Sequence, residues 1–423
     1  MLLGTAAVDI TPPTGVMLAG GTRARPSVGL DDPLLCKAMV IQHNGVRLAI
    51  VTLDLIALYR TVSDPAKAAI EQDVGIPADH VLVCCSHTHS GPYSVEALDP
   101  HELPDAAYLK RVEGAIVQAV TEAARSTRRV SLHWAEGRLE GVMQHRRLLR
   151  PFALARDRPD GGAINNWLAT PEEQRTLPPA GPVDEALIAW VFKAGGRPVA
   201  VLWNCTLHVN THFGPRFSAD YPGAVAAALQ REFGDGFFTA YLPGACADIN
   251  VGMGKRYDDV HPLIATAVAD VIRSARPSRT KRLGAVTRQI TLPVRDTEPF
   301  QEAEIRAKWP AAFDVFENEH PLLAARDRDT LTTVAQAVRI GDGIIACTPG
   351  EYFVQLGLSI KEQAARTPTV VAELCNDYIG YVPTREAYAQ GGYECFRART
   401  SQVAPGAGEQ IADALVEMLG GLW

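Results

Sequence analysis

Residues 80–92 read HVLVCCSHTHSGP. His80 through Cys85 form a short, apolar, valine-containing run, which predicts a buried strand. Gly91-Pro92 ends it. Side chains at i and i+2 of an extended chain point the same way, so His87 and His89 are expected on one face where the strand stops. A His-x-His pair alone fits a metal site, and it fits two polar side chains hydrogen-bonded in a loop equally well.

The rest of the chain repeats the arrangement. Strand-like runs recur at Arg47–Leu53, Pro198–Trp203, Phe237–Tyr241, Gly343–Cys347 and Thr369–Leu374. Between them lie amphipathic helical stretches at Ala106–Ala124, His261–Ala275, Glu351–Ala365 and Gln410–Leu419. The alternation predicts an α/β fold with mixed sheets flanked by helices. Polar segments follow the runs: SHTHSGP, NCTLHVNTH (204–212), LPGACADIN (242–250), TPGEYF (348–353) and CNDYIGYVPTREAY (375–388). Sites in open α/β sheets form beyond the carboxyl ends of strands, so these ends are expected to converge. The whole of 1–423 reads as a single domain. Arg156–Pro182 is expected to be a surface excursion and Pro299–Arg339 a mostly helical insertion. Residues 47–93 and 343–384 echo each other faintly, without a strict sequence repeat.

Of 423 residues, 47% are hydrophobic and 21% charged, and the net charge is −7. This is a soluble-globular composition that argues against nucleic acid as a partner. No run of 18 apolar residues would cross a membrane. MLLGTAAVDITPP lacks the basic and apolar regions of a secretion signal, so a cytoplasmic location is expected. The eight cysteines lie in apolar or glycine-rich contexts without Cys-x-x-Cys, as buried free thiols do.

Catalytic zinc takes about three His or carboxylate ligands and keeps a position open. His87, His208 and Glu351 would provide such a set. From the residues alone His212 serves as well as His208, and Glu351 could simply favour a helix N-terminus.

The chain resembles the neutral/alkaline ceramidase family in its N-terminal catalytic domain, from VDITPP near residue 8 to GYE at 392–394. SHTHSGP, VTLDL around Asp54, PGE at 349–351 and NDYIGYVPTREAYAQGGYE at 376–394 carry the likeness. It implies one zinc per chain held by His87, His208, Glu351 and Tyr381, with His89 beside the metal. Arg146 and Tyr393 match the family's arginine and second tyrosine. Asn250 stands where the family has a serine, and the proline after it is absent. A carboxamide can hold an oxyanion or a water but cannot act as a covalent nucleophile.

The expected activity is a zinc-dependent hydrolysis of an amide, or an ester, of a small polar substrate by metal-activated water. His89 would move the proton or orient a ligand, Tyr393 would donate to the oxyanion, and Arg146 would anchor an anionic group. Asp54 and Asp248 are expected to orient neighbours rather than react. A binuclear amidohydrolase using both His87 and His89, and a non-catalytic binding protein on a decayed site, are the alternatives. Neither a secretion signal nor a C-terminal β-domain is expected from the sequence. Arg146, Arg147, Asn210, Asn376 and Arg397 are expected at the pocket edge, which would favour short, polar substrates over long-chain lipids.

Overall fold

The computed structural model describes residues 1–96, 99–151, 154–155, 157–252, 254–295, 299–326, 328–364 and 368–422. One topological unit occurs in it three times. In the first, strand Leu2–Asp9 lies antiparallel to Leu35–His43, which forms a hairpin with Val46–Leu53. Helix Arg60–Val74 then returns the chain so that Val81–Cys85 pairs parallel to Val46–Leu53, with Ala49 opposite Val81. Helix Ala106–Arg125 closes the unit, its N-terminus capped by the Asp105 carboxylate, which accepts from the amides of Ala107 and Tyr108.

The second unit follows the same order with Ser131–Arg138, Ala186–Ala194, Arg197–Cys205, helix Asp220–Phe233, Phe238–Pro243 and helix Tyr257–Ser274. The third uses Leu283–Pro293, Thr330–Ile340, Gly343–Cys347, helix Val354–Ala364, Thr369–Ala372 and helix Ala407–Gly421. The echo between 47–93 and 343–384 is therefore a repeat of topology rather than of residues, and it has a third copy.

Strand alternation decides how the units assemble. Met39, Ile41, Leu48 and Ile50 point to one side, where they meet Ile188, Trp190, Leu202, Val338, Ile345 and Val370 in a core shared by all three sheets. Ala38, Val40, Ala49 and Val51 point to the other side, against the helices of their own unit. Both faces of each sheet are thus buried. Trp190 Nε1 donates to the Ile340 carbonyl (3.0 Å), and Asn204 Nδ2 donates to the carbonyls of Leu242 (2.9 Å) and Val371 (3.0 Å). The bonds to Ile340 and Val371 tie the second sheet to the third. All eight cysteines are free and buried, as expected. Among the described residues no helix is long and apolar enough to cross a membrane.

Two expectations need correction. Among the described residues, the stretch 299–339 is helical only at Glu302–Lys308, Pro310–Ala312 and Phe313–Ala324; Thr330–Ile340 is an inner strand of the third sheet. TLTTVAQAVRI is rich in β-branched residues, which suits a strand better than a helix. The stretch from 156 is not merely superficial. Arg156 lies outside the described residues, but Ala163–Asn165 is a buried strand paired with Arg147–Leu149.

Candidate metal centre and active site

The carboxyl ends of the parallel strands of all three units meet at one point. After Cys85 the chain leaves the strand: His87 adopts a left-handed backbone, φ 71°. That conformation is sparsely populated by non-glycine residues and gathers at functional sites. The strand-alternation argument for His87 and His89 therefore does not describe how they come together. A loop does it. Its backbone is fixed by Ser86 N to Leu53 O (2.8 Å), His87 N to Leu55 O (3.0 Å) and His89 N to Val209 O (3.2 Å). Thr88 Oγ1 adds a bond to the Ser218 carbonyl at 2.6 Å.

Three imidazoles converge here. The Nε2 atoms of His87 and His208 are 3.1 Å apart, those of His89 and His208 2.9 Å, and those of His87 and His89 3.4 Å. Each Nδ1 contacts a backbone carbonyl: Ile56 O for His87 (2.8 Å), Gly20 O for His89 (2.8 Å) and Cys246 O for His208 (3.1 Å). A carbonyl only accepts, so each Nδ1 carries the hydrogen and each Nε2 offers a lone pair. Gly20 is required at its position. Its φ is 88°, and a Cβ there would stand 2.5 Å from His89 Cβ.

Three lone pairs facing one another repel unless a cation lies among them. The carboxylate of Glu351 points to the same place: its Oε2 is 3.4 Å from His87 Nε2 and has no hydrogen-bond partner, while Oε1 accepts from Tyr378 OH at 2.9 Å. A buried carboxylate oxygen without a partner is costly. Ligands about 2.0–2.1 Å from a tetrahedral zinc stand about 3.3 Å from one another, and the nitrogen spacings fit that. Among the described residues His87, His89 and His208 form the one such group of close ligand atoms.

The electrostatics follow the same geometry. Burial alone would lower the pKa of His87, but the Glu351 carboxylate outweighs it and raises it. Burial and the neighbouring His87 charge push His89 down to about 3 and His208 well below its ordinary value. Burial would raise Glu351, but His87 holds it below the usual carboxylate range.

Around the histidines lies a cavity of about 430 Å³ lined by polar and aromatic groups. Arg146 and Tyr381 enter it together. Arg146 Nη2 donates to Tyr381 OH (3.2 Å) and Tyr381 OH donates to Tyr393 OH (3.3 Å), so the Tyr393 hydroxyl keeps its own hydrogen to donate. Arg146 is anchored by Glu394, whose carboxylate takes Arg146 Nε and Arg147 Nη1, each at 2.8 Å, and Asn165 Nδ2 at 2.6 Å. Asn250 lines the cavity from the short strand Ile249–Val251, and its Oδ1 accepts from Asn210 Nδ2 at 3.4 Å.

The structure thus brings His87, His89, His208, Glu351, Tyr381, Tyr393, Arg146 and Asn250 to one cavity. His89 stands as close to His208 as His87 does, nearer the donor set than the resemblance implied. His212 is elsewhere, with Nε2 2.9 Å from Asp31 Oδ2. Asp54 accepts from Leu35 N (3.0 Å), and Asp248 accepts from Val354 N (2.9 Å), so each holds backbone in place.

The expected polar rim is not what forms. Of the five residues assigned to it, Arg146 and Asn210 line the cavity. Arg147 is buried against Glu394, Asn376 bonds Lys67 Nζ (2.5 Å) and Gln336, and the Arg397 Nε donates to Arg295 O (2.6 Å). Long polar side chains turned inward to satisfy buried carboxylates and carbonyls instead. The wall holds Trp167, Phe213, Trp309 and Ile56, which the sequence reading missed. Trp167 comes from the excursion after Asn165 and Trp309 from the helical insertion; both rings stack edge-on against Tyr393, at centroid distances of 5.9 and 5.4 Å. A tryptophan inside the polar stretch AINNWLA was the available signal for Trp167.

No protein-family model matches the chain, and a search of curated proteins gives no match. Among solved structures the chain is similar to the crystal structure of neutral ceramidase from Pseudomonas aeruginosa. The TM-score is 0.75 at 17% identity, covering 100% of this chain and 74% of that one. A structure of a ceramidase complexed with C2 matches with the same TM-score and identity and is covered to 75%. The α/β architecture with its site at strand ends is a neutral-ceramidase-like fold.

Proposed function

We propose that the protein is a zinc-dependent hydrolase that cleaves the amide bond of a small substrate. The observation that carries this reading is the convergence of three imidazole lone pairs beside the unpartnered Oε2 of Glu351. The neutral-ceramidase-like fold supports the amide as the bond cleaved.

His87, His208 and Glu351 would hold the ion, with Tyr381 as a weaker fourth ligand. A catalytic zinc keeps a position open, so His87, His208 and Glu351 are taken as the firm ligands; following the family resemblance, His89 stands beside the ion and is assigned to the proton. Zinc in this position supplies Lewis acidity toward the amide carbonyl and toward a water molecule.

His89 is neutral near pH 7, its Nδ1 hydrogen is held by Gly20 O, and its Nε2 is free to accept. It takes the proton of the attacking water as the C–O bond forms. It returns that proton to the leaving nitrogen as the C–N bond breaks. Tyr393 donates its free hydroxyl hydrogen to the carbonyl oxygen, and Asn250 donates from Nδ2. Arg146 holds Tyr381 in place and turns the rest of its guanidinium to the cavity. Trp167, Phe213 and Trp309 receive the apolar part of the substrate.

The test is metal analysis of purified protein, followed by hydrolysis of a panel of N-acyl amides and matched esters with and without added zinc. Zinc-dependent amide cleavage is the expected result. Retained activity after complete metal removal would contradict it.

A further inference from the structure

Glu373 follows the last strand of the third sheet and is fully buried. Its side chain does not enter the cavity, and no motif singles it out. Its Oε2 accepts from two backbone amides, Tyr352 N at 2.8 Å and Cys246 N at 3.1 Å, while Oε1 lies 3.0 Å from Cys246 Sγ. Tyr352 is the neighbour of Glu351. Cys246 is the residue whose carbonyl holds Nδ1 of His208. One carboxylate oxygen therefore fixes two segments that each present a proposed metal ligand.

Its backbone reaches the remaining segment. The Glu373 amide donates to Pro243 O (3.1 Å) in the second unit, and its carbonyl accepts from the thiols of Cys84 (3.3 Å) and Cys375 (3.4 Å). Cys84 belongs to the strand that leads to His87. Leu374 and Asn376, just beyond, have φ of 57° and 66°. Such left-handed positions outside glycine are strained and persist where surroundings enforce them. The tight turn they make aims Glu373 inward, at the junction of the three units.

We propose that Glu373 is the positioning residue of the metal centre, holding His208 through Cys246 and Glu351 through Tyr352. The proposal rests on the metal-site reading above. Supporting groups behind metal ligands are worth about 10–100-fold in affinity.

The experiment measures zinc affinity by chelator competition, and apo-protein melting, in the full-length chain. Glu373→Ala and Glu373→Asp each lose the two backbone bonds, the second by shortening the side chain. Both are expected to weaken zinc by about 10–100-fold. Glu373→Gln can keep both bonds on one oxygen and is expected within about threefold of wild type. Asp342→Ala, removing a buried carboxylate that accepts from the amides of Arg279 (2.8 Å) and Thr280 (3.2 Å) at the turn before strand Gly343–Cys347, the end away from Glu351, is expected to lower melting and leave zinc affinity unchanged. The proposal is overturned if Glu373→Ala or Glu373→Asp binds zinc as wild type does, or if Glu373→Gln loses as much as Glu373→Ala. Wild-type protein that binds no zinc overturns the hydrolase reading and this proposal together; zinc-binding wild type with an unaffected Glu373→Ala overturns the proposal alone.

Discussion

Replacing Glu394 by alanine should be the most damaging single change to the cavity wall that leaves every proposed ligand in place. Its carboxylate is fully buried and serves three donors: Arg146 Nε, Arg147 Nη1 and Asn165 Nδ2. The side chains of Arg146 and Arg147 are only 3% and 1% exposed. Removing one partner of a buried ion pair costs about 3–5 kcal/mol, because a charge is left without compensation. Here two guanidiniums lose their counterion at once, which places the loss near the upper end, about 5 kcal/mol.

The pH dependence follows from the same network. Burial would raise the Glu394 pKa, but Arg146 and Arg147 outweigh it and hold it below its ordinary value. A depressed acid pKa means the native state binds fewer protons than the unfolded one. The stabilisation is then fully present above the unfolded carboxyl pKa, about 4.3, and is lost as pH falls through the lower folded value. Urea unfolding of wild type and Glu394→Ala between pH 7 and pH 3 is the assay. The difference between them should be large at pH 7 and shrink below about pH 4. A loss under about 1 kcal/mol at pH 7, the size of an exposed pair, would refute the reasoning, as would a difference that grows on acidification.

Zinc binding should be abolished in His208→Ala and kept in His212→Ala, measured by metal content after gel filtration. The reverse would mean that the wrong histidine of NCTLHVNTH was assigned. Asn250→Ala should lower kcat by roughly the 10²–10³ of one lost oxyanion donor; an unchanged kcat would remove Asn250 from the chemistry. In a series of N-acyl amides with one amine, kcat/KM should rise by about fourfold per methylene (~0.8 kcal/mol each) while the aromatic wall is being covered. It should then level off once the cavity of about 430 Å³ is full. A steady climb out to long-chain acyl groups would contradict that limit.

The six runs legible as strands in the sequence are the parallel pair at one end of each sheet. They are buried on both faces, so they read as continuous apolar runs such as VLVCC and GIIAC. Two strands of the third sheet escaped because they carry polar residues: Leu283–Pro293 is mostly half-exposed, and Thr330–Ile340 hides its pattern among threonines. Of the threefold repeat only a faint echo between two copies was legible, for a related reason, since topology is kept by which positions are apolar and not by which residues fill them. At the site, His-Thr-His and PGE could be read because they stand at strand ends in short motifs. Glu373 could not, although one acid inside TVVAELC was a mark of something buried and paired. Its role lies in two backbone amides far away in sequence, and no local pattern encodes them. The two tryptophans of the wall came from segments read as surface excursion and insertion, where tertiary stacking on Tyr393 gives Trp167 and Trp309 their place.

The central claim is one open zinc site per chain, and metal stoichiometry tests it most directly. Wild-type protein, with His87→Ala, His208→Ala and His89→Ala, would be analysed for bound metal after exhaustive dialysis. The account predicts one zinc per chain in wild type and in His89→Ala, and none in His87→Ala or His208→Ala. Two tightly held metals in active wild type, or none, would contradict it.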